Sequence, residues 1–206
     1  LEVAIEQALS LNGLGTDDLD LVELYSCFPC VPKMARRAFG WPLDRPISVF
    51  GGLTFGGGPI GNYMSHAVAA MAAALRGSAR KGLLFANGGY ATNNHAIILS
   101  GEPLAARFPQ DFDVQDEANA RRGPIPPLDE GYRGPAEVET YTVFHDRAGA
   151  AQGGVIVART PAGTRTLARV AADDLAALAW LSDGATEPVG VTGMIVAGAD
   201  GLARWR

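Results

Sequence analysis

The sequence is poor in the features that define several large classes of protein. Only 19% of its 206 residues are charged, the formal net charge is −5, and there is no basic stripe, so we expect no nucleic-acid partner. No apolar run approaches the roughly 20 residues that a membrane-spanning helix needs. This composition predicts a globular, cytoplasmic protein.

Histidine and cysteine are also scarce. The three histidines, His66, His95 and His145, are scattered along the chain, so we predict no metal site. Cys27 and Cys30 form a Cys-x-x-Cys motif, which fits a redox pair, half of a zinc site, or two small buried side chains between a strand and a helix. We favour the third interpretation, because neither further zinc ligands nor a thioredoxin-like pattern accompany the motif.

Glycine, by contrast, is concentrated in one place. The run Gly51-Gly52-Leu53-Thr54-Phe55-Gly56-Gly57-Gly58 has five glycines in eight residues before a predicted helix. Backbone without Cβ atoms lets a ligand approach closely, although a packing loop between strand and helix has the same composition. The run matches neither the P-loop, since no Lys-Ser/Thr pair follows, nor the dinucleotide fingerprint.

Hydrophobic periodicity predicts a layered α/β arrangement for about the first hundred residues. Because the chain starts with Leu1, inside a predicted helix, we expect no signal peptide and a longer parent protein. The predicted helices are 2–11, a segment capped by Ser26 and ended by Gly40, and 63–76; the predicted strands are 20–25, 47–50, 82–86 and 95–99.

The second half has a different character. Residues 102–134 carry many prolines and charges without periodicity, which predicts a linker or wrapping arm. Residues 135–206 predict a small, mostly β barrel of OB-like size that acts as a lid, docking or assembly element. Its predicted strands are 136–145, 153–160, 164–170 and 189–196, with a helix at 173–181.

Three segments of the first half resemble, in order and spacing, the last three motif blocks of the thiolase superfamily. They are Asp18–Phe28, Gly51–Pro59 and Ala86-Asn87-Gly88-Gly89-Tyr90, all within residues 1–101. The chain is most similar to thiolase-like proteins of the acetyl-CoA acetyltransferase family, related to sterol carrier protein X thiolases, that carry an additional C-terminal domain. The resemblance implies the C-terminal part of a thiolase-like layered fold, a role in lipid metabolism, and an N-terminal thiolase half as partner.

The same resemblance implies that the usual catalytic groups are replaced. The acylated cysteine would lie in the N-terminal half, the histidine of the Gly-His-Pro motif is Gly58, and the cysteine of the Cys-x-Gly motif is Ala86. We therefore expect this chain alone to be inactive as an acyltransferase. Tyr25, where the family has an oxyanion-hole residue, and His95, as a displaced acid or base, are the catalytic candidates. His95 also fits a strand-start histidine that is hydrogen-bonded to backbone.

What the resemblance leaves in place is a frame for binding a coenzyme A thioester, with no covalently bound cofactor. Two functions remain open: a divergent acyl-CoA transferase or lyase, and a non-catalytic acyl-CoA-binding or assembly module. An exposed half-thiolase surface would also allow a homo-oligomer. The expected substrate contacts are Ser26, Gly57, Gly58, Asn62, Asn87 and Gly88, with Tyr63 and Tyr90 as further polar contacts.

Overall fold

The computed structural model describes residues 1–103 and 112–206, which divide into two units, Leu1–Gly123 and Pro124–Arg206. The first unit combines a sheet with helices and the second is a closed β-barrel, so the mixed α/β class and the small barrel are both confirmed. The predicted borders at residues 102 and 135 stay a prediction. Across the two described stretches, no helix is both long and apolar enough to cross a membrane.

Five α-helices, one short 3-10 helix (Thr16–Asp18) and three strands make up the described part of the first unit. The α-helices and strands, in chain order, are α1 (Glu2–Leu11), β1 (Leu21–Leu24), α2 (Cys30–Ala38), α3 (Gly52–Gly56), α4 (Tyr63–Leu75), β2 (Lys81–Gly88), β3 (Asn93–Ser100) and α5 (Gln115–Arg121).

The three strands form one sheet in the order β1-β2-β3. β1 runs parallel to β2, while β2 and β3 form an antiparallel hairpin. Successive side chains point to opposite faces of a strand, so the sheet carries one core on each face. One core packs under α1 and α2 and includes Ile5, Val22, Leu24, Leu83 and Phe85; the other packs under α4 and includes Ala67, Met71, Leu75 and Leu84.

The predicted strand at 47–50 is wrong. The backbone amides of Val49 and Phe50 donate to the carboxyl group of Glu23 instead of to a neighbouring strand. Only Ile47 contacts β1 through its backbone, by accepting a hydrogen bond from the amide of Leu24. A side chain has therefore taken the donors that a sheet would have used.

Part of the proline-rich stretch is helical. Gln115–Arg121 forms α5, in a region where the sequence predicted no periodic structure, and residues 104–111 of that stretch lie outside the described residues. Arg121 pairs with Glu117 one turn earlier and with Glu6 of α1. These two ion pairs join α5 to α1 within the first unit.

The second unit is a barrel of five strands closed in the order β4-β5-β6-β8-β7. Neighbouring strands are antiparallel except for β6 and β8, which are parallel. The sequence did not predict β8, because a strand of three residues after a turn is too short to show an alternating pattern. The elements are β4 (Gly134–His145), β5 (Ala151–Arg159), β6 (Arg165–Val170), α6 (Leu175–Ser182), β7 (Thr192–Ala197) and β8 (Ala203–Trp205).

An ion-pair cluster ties the first three barrel strands together. Glu139 of β4 accepts hydrogen bonds from Arg159 of β5 at 2.7 Å and from Nε of Arg165 of β6 at 2.7 Å. Arg165 adds a second bond from Nη2, so its fork holds both carboxyl oxygens. The hydrogen bonds from Arg165, with the neighbouring charge of Arg159, hold the pKa of Glu139 below its usual range.

We expect Glu139→Gln to lower the free energy of unfolding by about 0.5 to 1 kcal/mol at pH 7, since the cluster is partly solvated. A lowered folded-state pKa means that the stabilisation is complete above the unfolded-state pKa and is lost as the pH falls through the folded value. The difference between the wild type and Glu139→Gln should therefore shrink on acidification. Urea unfolding at several pH values measures this, with exposed Glu137→Gln as the control. Equal losses in the two variants would contradict the expectation.

Candidate functional site

A buried carboxyl group organises the entry to the glycine-rich stretch. Glu23 lies on β1 with 0% exposure and points to the face covered by α4. It accepts hydrogen bonds from the Tyr63 hydroxyl at 2.6 Å, from the Ser48 hydroxyl at 2.8 Å, and from the amides of Val49 at 2.8 Å and Phe50 at 2.9 Å. One side chain thus links the sheet, the segment before the glycines and the first residue of α4.

Sequence reasoning missed Glu23, although it left a signal. Glu23 is an acidic residue between Val22 and Leu24 in an otherwise apolar strand. A charge in that position needs partners, because an unpaired buried charge is costly. The pattern therefore pointed to a polar network without naming its members.

Tyr63 is not an accessible contact, contrary to expectation. It is 3% exposed, and its hydroxyl donates to Glu23. Burial, followed by the hydrogen bond to Glu23, raises the pKa of Tyr63 well above its ordinary value. Tyr63 therefore serves as an internal hydrogen-bond donor to Glu23. Tyr90, the other tyrosine expected to contact a ligand, is exposed.

The first amides of α3 are used within the protein. Gly51 and Gly52 donate to the Ser48 hydroxyl, at 2.6 and 3.0 Å, and Leu53 donates to the Ser26 hydroxyl at 3.0 Å. The sequence predicted that Ser26 caps α2, and this prediction is wrong. Ser26 instead accepts a hydrogen bond from α3, and the N-cap of α2 is Pro29. Gly52 has φ +70°, and a Cβ there would lie 2.8 Å from the Ser26 oxygen, so glycine is required.

The open part of the glycine stretch lies further along, between α3 and α4. Gly57 and Gly58 are both exposed, and a Cβ added to Gly58 would meet only the Leu53 side chain, at 3.9 Å. Exposed Asn62 closes this loop, with its amide nitrogen 3.2 Å from Nε2 of His66 on α4. Residues 57–62 therefore present accessible backbone, which we call the open loop.

The two catalytic candidates lie in one row across the sheet. Tyr25 follows the end of β1, donates its amide to the carbonyl of Phe85, and is therefore level with Ala86 of β2. Ala86 pairs in turn with His95 on β3. All three side chains point to the α4 face, where the Tyr25 ring meets the Tyr63 ring edge-on at 5.5 Å. Half-buried Tyr25 and exposed His95 thus flank Ala86.

Asn87 points the other way. Its amide nitrogen donates to Asn94 at 3.2 Å, and its oxygen accepts from the Cys27 thiol at 3.7 Å, on the face that α1 and α2 cover. Gly88, which ends β2, pairs with Asn93 across the hairpin. The predicted contacts are therefore divided, because strand alternation turns Asn87 away from the face that carries Ala86.

The Cys-x-x-Cys motif is a pair of free thiols with unequal exposure. Cys27 is half-buried and Cys30, at the first position of α2, is exposed, so the expectation that both are buried is wrong for Cys30. Within the part of the chain that the structure describes, no group of three His, Cys, Asp or Glu side chains could hold a metal ion.

His95 also borders a groove between α1 and the outer edge of β3. The groove has a volume of about 440 Å³ and mostly apolar walls. Its lining is mainly small and aliphatic, which suits an apolar ligand. Its walls include Ala4, Ala8, Leu11, Ile97 and Ile98.

Removing Glu23 should unfold the site far more than removing one of its partners. We expect Glu23→Ala to lower the free energy of unfolding by about 3 kcal/mol or more, because it leaves one buried and three partly buried donors without their acceptor. Tyr63→Phe, the matched control, removes one hydrogen bond and should cost about 1.5 kcal/mol. Urea unfolding and hydrogen exchange at the Val49 and Phe50 amides measure both effects. Similar losses with unchanged exchange would contradict this role of Glu23.

The two thiols should react at different rates. We expect Cys30 to react with an aromatic disulfide reagent in a fast phase, because it is exposed, and Cys27 in a slow phase. Cys30→Ser should remove the fast phase and Cys27→Ser the slow one, as stopped-flow absorbance would show. A single rate for the wild type would rule out the difference in exposure.

Comparisons with known proteins match both units. Residues 113–200 match the family described as the thiolase-like protein type 1 additional C-terminal domain. A solved structure, a monomeric SCP2-thiolase like protein type 1 from Mycobacterium smegmatis, matches with a TM-score of 0.81 and 31% sequence identity. That match covers 100% of this chain and 44% of the other, so this chain spans less than half of that protein. No curated protein matches. The two matches support a thiolase-like family for this chain.

Proposed function

We propose that the chain is the C-terminal part of a thiolase-like protein related to acetyl-CoA acetyltransferases, and that it binds an acyl-CoA thioester with diverged or lost thiolase chemistry. The observation that carries this proposal is the position of Ala86. Its methyl group lies in the row between Tyr25 and His95, where the family resemblance places a proton-transferring cysteine. The same proposal puts the protein in the cytoplasm and in lipid metabolism.

The chemistry argues against ordinary thiolase turnover. A methyl group has no proton to exchange, and losing a general acid or base lowers the rate by about 10² to 10⁴-fold. Gly58, in the open loop, likewise has no imidazole to activate a nucleophile. Tyr25 and His95 are the titratable side chains of the row, so a divergent reaction would move its proton through one of them.

Thioester binding is supported by the open loop. Gly58 is exposed and has no side chain over its peptide group, so a thioester carbonyl can approach its amide. The amide of neighbouring Gly57 already donates to the carbonyl of Leu53 at 3.0 Å. Asn62, at the end of the same loop, adds a side-chain amide. The amides at the start of α3 do not contribute, because Ser48 and Ser26 already occupy them. The binding surface we propose is therefore residues 57–62.

The alternative is a non-catalytic acyl-CoA-binding or assembly module, and one observation favours it. Within residues 1–103 and 112–206, the Tyr25 hydroxyl and the His95 ring are not hydrogen-bonded to a side chain that would activate them. Such a module would use the N-terminal thiolase half of the same protein, or a second copy, as its partner.

We also infer that the barrel is OB-like. Its strands follow the order first-second-third-fifth-fourth, the third and fifth strands are parallel, and α6 connects the third to the fourth. A five-stranded Greek-key barrel of this kind commonly presents ligand surfaces on its second and third strands.

The proposed site is tested by titrating coenzyme A and acetyl-CoA into the complete protein, with this chain alongside, in a calorimeter. We expect micromolar binding to the complete protein. Gly58→Trp should abolish it by filling the open loop. Gly123→Trp is the matched control, because Gly123, like Gly58, has no positive φ, and an added Cβ there would have no neighbour within 4 Å. Thiolysis of acetoacetyl-CoA should stay at the uncatalysed rate.

Binding that Gly58→Trp removes and Gly123→Trp leaves unchanged supports the acyl-CoA site, and a measured bond cleavage would then favour the divergent enzyme. If neither coenzyme A nor acetyl-CoA binds to the complete protein or to this chain, the acyl-CoA proposal is wrong and the assembly module is favoured. Equal effects of the two tryptophan variants would place the ligand elsewhere.

A further inference from the structure

The outer face of the barrel carries a groove that the proposed function does not use. It has a volume of about 570 Å³, within the range of small-molecule sites, and lies against β4, β5, β6 and β8. Two arginines, one glutamine and one phenylalanine are its large side chains, and none of the described residues that line it is acidic. These side chains are Phe144, Gln152, Arg169 and Arg204.

The register of β6 and β8 brings the two arginines together. Arg169 and Arg204 are direct partners in the parallel pair. Their neighbours Val170 and Trp205 are buried in the barrel, so strand alternation places both guanidinium groups on the outside. Like charges opposite one another on adjacent strands repel, so this pair calls for negative charge nearby.

That charge is supplied for only one of the two arginines. Arg204 pairs with Asp200 at 2.8 Å. Arg169 is exposed and, among residues 1–103 and 112–206, has no carboxyl oxygen within 4.0 Å. Asp146, in the loop after β4, accepts hydrogen bonds from the backbone amides of Ala148 and Ala150 and from the side-chain amide of Gln152. An anion in the groove would complete the set of pairs.

One aromatic side chain, Phe144, lies on the same outer face. Phe144 is 54% exposed, and its partner across β4 and β5 is Gly153, which has no side chain to cover the ring. A phenyl ring with an open face can stack on the flat face of a nucleic-acid base. Gln152 uses its amide nitrogen on Asp146, so its oxygen is available to accept a hydrogen bond.

We propose that this groove binds a phosphate ester of the nucleotide type, with Arg169 and Arg204 on the phosphate and Phe144 stacked on the base. A guanidinium group matches phosphate oxygens with two parallel hydrogen bonds, and weakly hydrated arginine suits this role better than lysine. The site is independent of the proposed thioester site, because all of its residues belong to the second unit. A free nucleotide and the adenosine diphosphate portion of coenzyme A share this chemistry.

The test is calorimetric titration of the chain with adenosine diphosphate, coenzyme A and inorganic phosphate. We expect Arg169→Gln to raise the Kd for adenosine diphosphate by about tenfold or more, since it removes a charge-assisted pair of hydrogen bonds. Arg204→Gln should act in the same direction. Arg147→Gln is the matched control, because Arg147 is an exposed arginine of the same unit outside the groove. Phe144→Ala should weaken adenosine diphosphate binding and leave phosphate binding unchanged.

Binding of adenosine diphosphate without coenzyme A identifies a free nucleotide as the ligand, and comparable binding of both identifies the coenzyme; either result supports the groove. The proposal is overturned if the wild type binds neither ligand. It is also overturned if Arg147→Gln weakens binding as much as Arg169→Gln, because the arginines would then act only through overall charge. Circular dichroism of each variant confirms that the barrel remains folded.

Discussion

The buried carboxyl group of Glu23 is the interaction on which the first unit depends. It sits on the central part of β1, and its hydrogen bonds reach both the segment before α3 and the start of α4. This buried group accepts from four donors, so an apolar replacement would leave all four without an acceptor. The glycine-rich stretch is therefore positioned by a side chain of the sheet, and its conformation follows from the sheet's geometry.

The frame and the chemistry of this unit have different requirements. The frame needs Glu23, Ser48 and Ser26, which hold the chain around the glycines and occupy their first amides. The thiolase-like resemblance implies that the family's reacting groups stand at Gly58 and Ala86, where this chain has no titratable side chain. A fold can keep its internal hydrogen bonds while its reacting groups change, because the two sets of residues do not overlap. This separation is what the proposed divergent or lost activity describes.

In the barrel, the same register that closes the sheet also sets its surface charge. Pairing of β4, β5 and β6 brings Arg159 and Arg165 to Glu139, where the charges are matched. Pairing of β6 and β8 brings Arg169 to Arg204, and the carboxyl group of Asp200 pairs with Arg204 alone. The first cluster joins three strands through paired charges, whereas in the second the guanidinium group of Arg169 has no carboxyl oxygen within 4.0 Å among the described residues.

The sequence by itself determined most helices and strands, since apolar residues at intervals of 3.6 or 2 mark the faces that must be buried. It also determined the thiolase-like resemblance, which implies that the family's reacting groups are replaced at Gly58 and Ala86. Tertiary structure decided the rest. The carboxyl group of Glu23, 26 residues before Val49, accepts the backbone amides of residues 49 and 50, so residues 47–50 do not form the predicted strand. Strand alternation places Asn87 on the face opposite Ala86, where it contacts Cys27. Such partners are distant along the chain, so no local pattern could have named them.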